Sequence, residues 1–199
     1  MSQEISLSVG ESSLCTKSPA LALQVLQHLC PDVVRQLPGQ FVGGVEVAQA
    51  ESSMAIGSRF EGCVIFARHW VEGVEYALID LGPAAEIEGA WGRRDQEVAT
   101  NHGDGLANTS AMAEAGSDLA KKALEAGAYI PSAVECHLLM YAKQIGLVTD
   151  LREDITYWTS SQYSAYGAYS LDFEGGWQNR NDKLYERPVR LVRRIPIIR

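Results

Sequence analysis

Apolar positions along the chain change their spacing several times, and each change predicts a different element. Ser18-Pro19 reads as an N-cap followed by proline at the first helical position. Leu21, Val25, Leu26 and Leu29 then recur at helical spacing until Pro31 interrupts. Val33, Val34 and Leu37 suit a second short turn before Pro38-Gly39, and the Gly-, Ser- and Ala-rich stretch 40–58 suits a strand or an extended arm. From Glu61 the pattern tightens. Cys63-Val64-Ile65-Phe66-Ala67 and Tyr76-Ala77-Leu78-Ile79-Asp80-Leu81 read as two apolar strands, with Gly73 placed to turn a hairpin between them. Polar, glycine-containing sequence follows from Glu88 to Gly105.

Two helices come next. Asn108 or Thr109 is placed to cap a helix over 109–126 carrying Ala111, Met112, Ala115, Leu119, Ala120, Ala123 and Leu124, with Ser117 as a point of break and restart. A second helix over 132–145 starts at Ser132 and Glu135, whose S-x-x-E spacing lets each side chain satisfy a free backbone donor. Its stripe of Val134, Leu138, Tyr141 and Ile145 is expected to face the core, and Gly146 to close it. The remainder reads as β structure. Residues 168–173 alternate at period two with Tyr169, Leu171 and Phe173 on one face, Gly175-Gly176 turns the chain, and 188–194 supplies a last strand. Val189 and Leu191 are expected on one face of that strand, Arg190 and Val192 on the other. Strands, then helices, then strands indicate an α+β class with segregated elements.

Composition narrows the functions. The chain has 199 residues, 17 basic against 25 acidic, and a formal net charge of −8, which disfavours a large phosphate-binding surface. Arg187, Arg190, Arg193, Arg194 and Arg199 crowd the C-terminus, but such arginines more often pair with carboxylates such as Asp172 and Glu174. No apolar run reaches the roughly eighteen residues a membrane helix needs. Met1-Ser2-Gln3-Glu4 has neither the positive start nor the apolar stretch of a secretory signal, so synthesis and folding in a cytoplasm are expected. Cys15, Cys30, Cys63 and Cys136 form no CxxC pair and are expected as free, buried thiols. No Cys–His or Ser–His constellation stands out around His28, His69, His102 and His137, and no catalytic residue is assigned. Asp172, Glu174, Asn179, Asn181 and Asp182 offer oxygen ligands but not in an EF-hand pattern, so neither a metal nor a cofactor is expected.

Several segments carry a family likeness. Tyr157-Trp158-Thr159-Ser160-Ser161-Gln162-Tyr163-Ser164, then Ala168-Tyr169, Asp172-Phe173, Gly175 and Gln178, and finally Arg187-Pro188-Val189-Arg190-Leu191-Val192-Arg193-Arg194 resemble the Lcl C-terminal domain family. That family is named for a Legionella collagen-like adhesin and is common in phage virion genes. Upstream, Asp104-Gly105-Leu106-Ala107-Asn108-Thr109 and Ile130-Pro131-Ser132 with Glu135 and Leu138-Leu139-Met140-Tyr141 resemble its two helix starts. Thr159 replaces the family's first serine, and Tyr129-Ile130 replaces the aromatic residue usual before Pro131.

The resemblance implies a C-type-lectin-like domain over 59–199, with two helices beside antiparallel sheet and its termini close together, preceded by an N-terminal helical and extended assembly segment over 1–58. It implies a non-enzymatic bacteriophage virion protein, made in the host cytoplasm and homo-oligomeric. Its partner would be a host-surface glycan or receptor, or alternatively other virion subunits in a capsid decoration or tail component. A catalytic branch of the same broad fold, the formylglycine-generating enzymes, needs two cysteines late in the domain, and none follows Cys136 here. Neither nucleic acid nor membrane insertion enters this reading. Trp158, Tyr169 and Phe173 are expected in the core. Tyr163, Tyr166, Trp177, Asn179 and Asn181 are the candidate ligand-binding residues, on loops around 161–167 and 174–186 that combine rigid aromatic faces with adaptable polar groups.

Overall fold

The computed structural model describes residues 5–9, 12–16 and 54–197. The chain divides into two compact units, Met1–Glu46 and Val47–Arg199. In the first unit, β1 (Ile5–Val9) and β2 (Ser12–Thr16) pair as an antiparallel hairpin that the apolar spacing did not predict. The expected helix from Ser18 and residues 40–53 of the strand or arm expected over 40–58 lie outside the described residues, and 54–57 are turn and bend.

The second unit is α+β. β3 (Arg59–Phe60), β4 (Cys63–Val71), β5 (Val74–Asp80) and β11 (Val192–Pro196) form one antiparallel sheet in the order β11-β5-β4-β3. Glu72 and Gly73 both have positive φ, 49° and 81°, so the hairpin turns where glycine predicts it. Ile65 pairs with Ile79 but Ala67 with Leu78, so Phe66 is an extra residue bulged out of the ladder. The bulge serves two cores at once. Ile65, Ala77 and Ile79 pack on one face, while Phe66, Ala67 and Leu78 pack with Cys136, Leu139 and Phe173 on the other.

A second pair joins β6 (Ile87–Ala90) to β10 (Glu186–Val189), and a third sheet orders β7 (Thr156–Gln162), β8 (Gly167–Asp172) and β9 (Gln178–Asp182). The single C-terminal strand expected over 188–194 is therefore two, β10 and β11, and the chain changes sheets at Arg190-Leu191. Val189, Arg190, Leu191 and Val192 are all buried, and Val189 and Leu191 share one apolar cluster while Val192 joins another, as their alternation predicts. The strand-like spacing is real, but both of its faces meet protein at a crossing between sheets.

The helices are α1 (Gly105–Glu114), α2 (Asp118–Glu125) and α3 (Ala133–Gln144). The stretch expected as one helix over 109–126 breaks at Ser117, which caps α2 through its hydroxyl. Asp104, rather than Asn108 or Thr109, caps α1, accepting from Ala107 N at 3.0 Å. Asn108 and Thr109 are instead buried inside the helix. At α3 the capping box forms as its spacing predicts. Of the expected apolar stripe only Leu138 packs against the core, partly buried: Val134, Tyr141 and Ile145 are exposed, and Ala133, Cys136, Leu139, Met140 and Ala142 are buried. The helix is apolar on both sides, and its small residues, Ala133, Cys136 and Ala142, set the face that packs inward. Cys63 and Cys136 are free, Cys136 buried and Cys63 only partly so.

Two buried polar centres hold these elements together. Arg190, 1% exposed, makes a bidentate bond to Asp80 through Nε at 2.7 Å and Nη2 at 3.2 Å, reaches Glu86 through Nη1 at 3.1 Å, and also pairs with Asp150. Its partners are not the Asp172 and Glu174 expected for the terminal arginines. At the second centre the Glu135 carboxylate accepts from Ser132 N at 2.7 Å, Gly105 N at 3.1 Å and the Tyr129 hydroxyl at 2.9 Å. Burial pushes the Glu135 carboxyl above its ordinary value, although the Ser132 and Tyr129 hydrogen bonds oppose that shift.

Two substitutions test these centres. In Gly105→Ala the new Cβ would lie 2.2 Å from Glu135 Oε2, 2.7 Å from Ile130 O and 2.8 Å from Ser132 N. Urea unfolding should show a loss of about 1–3 kcal/mol, the cost of overpacking. Arg190→Met leaves the buried Asp80 carboxylate without its counter-charge, while Glu86 keeps Arg152 and the Tyr157 hydroxyl, and should cost about 3–5 kcal/mol. Wild-type unfolding midpoints for either variant would show that these contacts are dispensable.

Candidate functional site

The five candidate residues all attach to the β7-β8-β9 sheet, whose frame is built from buried side chains. Trp158 is fully buried and donates from its indole N–H to Gly89 O at 3.2 Å. The next three residues leave the ladder with β8 and become a buried hydroxyl junction. Thr159 Oγ1 donates to Tyr169 O at 3.0 Å, Ser160 Oγ accepts from Asn108 Nδ2 at 3.2 Å, and Ser161 Oγ accepts from Ala133 N at 3.1 Å. The Thr159–Ser161 hydroxyls thus join this sheet to α1 and to the start of α3. Ser164 Oγ closes the following turn by accepting from Tyr166 N and Gly167 N.

That sheet separates the five residues. Directly opposed residues of an antiparallel pair share a face. Tyr169 opposes Arg180, and Ser170 opposes Asn179. On the first face Tyr163 stands edge-on to Tyr169, ring centroids 5.5 Å apart, and Arg180 lies 5.0 Å over Tyr163 while donating to its hydroxyl at 2.5 Å. His102 adds a third ring, 5.2 Å from Tyr169. Tyr169, expected in the core, is only half-buried, whereas Trp158 and Phe173 are fully buried as expected.

Asn179 and Asn181 lie on the opposite face. They border an open cleft of about 490 Å³ whose lining includes Asp154, Thr156, Asp172, Glu174 and Arg187. Asn181 is committed to the frame, donating to Ser170 Oγ at 2.6 Å and accepting from Arg187 Nη2 at 2.8 Å. Arg187 also bonds Thr156 and lies between the rings of Trp158 and Tyr185, at 5.6 and 5.9 Å. Asn179 makes only a 3.5 Å contact to Trp177 O.

The exposed aromatics stand at opposite ends of β8. Tyr163 and Tyr166 flank the β7–β8 turn and Trp177 lies in the β8–β9 turn. Six residues separate those turns, about 17 Å at about 3.4 Å per residue. Trp177 is 73% exposed; Gly176, with φ 76°, turns the chain against Met140. Tyr166 is 54% exposed, with Arg94 5.5 Å over its ring and a hydrogen bond to Asp95 that raises its phenol pKa. The expected single surface is therefore two turn tips and a cleft.

Lys183 is the functional-frame residue that the sequence reading missed. It lies in a turn between Asp182 and the exposed Leu184 and Tyr185, so no apolar spacing marks it as interior. The residue is nonetheless fully buried, donating from Nζ to Gln96 O at 2.7 Å and Gln162 Oε1 at 2.5 Å, with the Trp91 ring 4.7 Å away. Its backbone N–H bonds Tyr166 O at 3.0 Å, so this lysine anchors the tyrosine turn. Among the described residues no three His, Cys, Asp or Glu side chains gather as a metal site. No helix of the described residues is long and apolar enough to cross a membrane. Neither a scan against protein-family models nor a search of curated proteins finds a match to this chain.

Burial lowers the Lys183 ammonium from its ordinary 10.5 to about 8. Between those values the unfolded chain holds the proton that the folded chain has lost, so this group adds stability as pH rises from about 8 to 10.5. Below pH 8 both states are charged and the cost of burial is constant. Chemical unfolding across that range should show a rise in wild type relative to Lys183→Met; parallel profiles would refute the assignment.

Proposed function

We propose that residues 59–199 form a C-type-lectin-like binding domain, and that the chain is a non-enzymatic bacteriophage virion protein that attaches to a host-surface glycan or receptor. The observation that carries this reading is the pairing of a rigid buried frame with exposed side chains at its turn tips: Trp158 and the Thr159–Ser161 junction are buried, while Tyr163, Tyr166 and Trp177 project into solvent. Preorganised aromatic anchors lose little side-chain freedom on contact. What supports the lectin-like reading is that β11, from the end of the described chain, returns to pair with β5 of the early β4–β5 hairpin.

One observation favours the second reading, a structural virion component bound to other subunits. The exposed Val134, Tyr141 and Ile145 on α3 form an apolar stripe suited to a protein partner. Immunogold labelling of particles decides between the two. Label at a fibre tip, with adsorption blocked by the purified chain, supports attachment; label over the head with no block supports decoration.

Side-chain truncation resolves which end makes contact. Trp177→Ala or Tyr166→Ala should weaken attachment by about 1–3 kcal/mol at the end that binds. Melting should barely change in either, whereas Trp158→Ala should lose about 3–5 kcal/mol of stability. Full binding by the double variant would exclude both tips.

A further inference from the structure

We infer that the exposed stripe of α3 is the seat of a second copy of this chain, two α3 helices packing antiparallel across a two-fold axis. The inference goes beyond attachment and holds wherever on a particle the chain sits. Val134, Tyr141 and Ile145 are 39%, 59% and 49% exposed, and Leu138 between them is partly buried. Their spacing, four then three then four residues, is that of a coiled-coil seam, whose knobs enter a facing helix. It is also a palindrome. Turned end for end about its middle, the stripe sets Val134 opposite Ile145 of the second copy and Leu138 opposite its Tyr141. An isologous two-fold contact requires that self-complementarity of one surface patch.

Charge points the same way. The other α3 residues exposed on that side are His137 and Gln144, so the strip carries no Asp, Glu, Lys or Arg, although the chain's net charge is −8. Lys143 falls on the opposite side of the helix and pairs with Glu153. Two copies meeting here bring no like charges into contact. Trp177 borders the strip. A Cβ on Gly176 would lie 3.3 Å from Met140 Cγ, and Gln178 Oε1 bonds His137 Nε2 at 3.1 Å. The turn that carries this indole, 73% exposed, therefore flanks the middle of α3, level with the two-fold axis. At 1.5 Å per residue α3 is about 18 Å long, so its stripe alone falls short of the roughly 800 Å² per partner of a standard interface. The two Trp177 side chains, on the same flank of the pair, extend it with the residue type that interfaces favour. Tyr163 and Tyr166, at the other end of β8, stay outside the pair and remain free for attachment.

Sedimentation of the full chain across a concentration series tests the pairing. Wild type should dimerise with a Kd of about 10 µM, in keeping with an interface below the standard size. Val134→Glu and Ile145→Lys each set a charge against an apolar residue of the second copy, and should weaken the dimer at least about tenfold. An acid near the start of a helix and a base near its end suit the helix dipole, so melting temperatures should hold. The double variant decides the geometry. Antiparallel packing sets each introduced carboxylate against an introduced ammonium, so the dimer should return at low salt and weaken again at high salt. A wild-type chain monomeric at every concentration, single variants that dimerise like wild type, or a double variant that recovers nothing would each overturn the proposal. Tyr141→Ser covers the case in which a charged variant does not fold: it too should weaken the dimer about tenfold, and wild-type dimerisation would overturn the pairing. Adsorption is read separately. A monomeric variant that still blocks adsorption leaves attachment standing, and a dimer that blocks nothing leaves the pairing standing.

Discussion

A guanidinium cannot shed its charge at any ordinary pH, so a buried arginine dictates the carboxylates around it. Arg190 sits where the chain leaves its pairing with β6 and joins β5, and its partners come from three places: Asp80 at the end of β5, Glu86 just before β6, and Asp150 after α3. Two strand systems and the exit of a helix are therefore located relative to one charge. A buried ion group of this kind adds little net stability over an apolar replacement, but removing one member is costly. Its contribution is placement. A strand that slid by one residue through this crossing would carry Arg190 away from Asp80.

The second constraint is of the same type and sets the helices. Glu135 faces inward because its capping-box role places it at the first turn of α3, where Ser132 N must find an acceptor. Once buried, the same carboxylate satisfies Gly105 N at the start of α1 and the Tyr129 hydroxyl, which links the two helix starts. Gly105 is required because the carboxylate lies where a side chain would begin. The Thr159–Ser161 hydroxyls then join both helices to the β7–β9 sheet. The core of this domain is thus organised by short polar bridges, and its apolar clusters fill the space those bridges define.

This explains which features could be read from the sequence. The hairpin at Gly73, the capping box at Ser132 and the restart at Ser117 follow from local rules, because the deciding interaction lies within a few residues. The misread features depend on distant partners. Val134, Tyr141 and Ile145 have the spacing of a core stripe, yet the smaller opposite face of α3 packs inward, which only the sheet beneath it decides. Residues 188–194 alternate like one strand, but Arg190 draws them across two sheets. Lys183 carries no interior signal because its environment comes from Trp91, Gln96 and Gln162, far along the chain.

The candidate residues show the same division. Exposure of Tyr166 and Trp177 was legible because turn residues are seldom buried, but the distance between them was not, since it is the length of β8 that separates them. Nor could spacing reveal that Asn181 is consumed by Arg187 and Ser170 while Asn179, two residues earlier on the same face, stays available. The distinction matters for any binding role. A group already satisfied within the fold offers a partner nothing without breaking a bond, whereas an exposed group exchanges only water. By that criterion the Arg187–Asn181 pair belongs to the frame of the β8–β9 sheet, which only partners far along the chain could reveal.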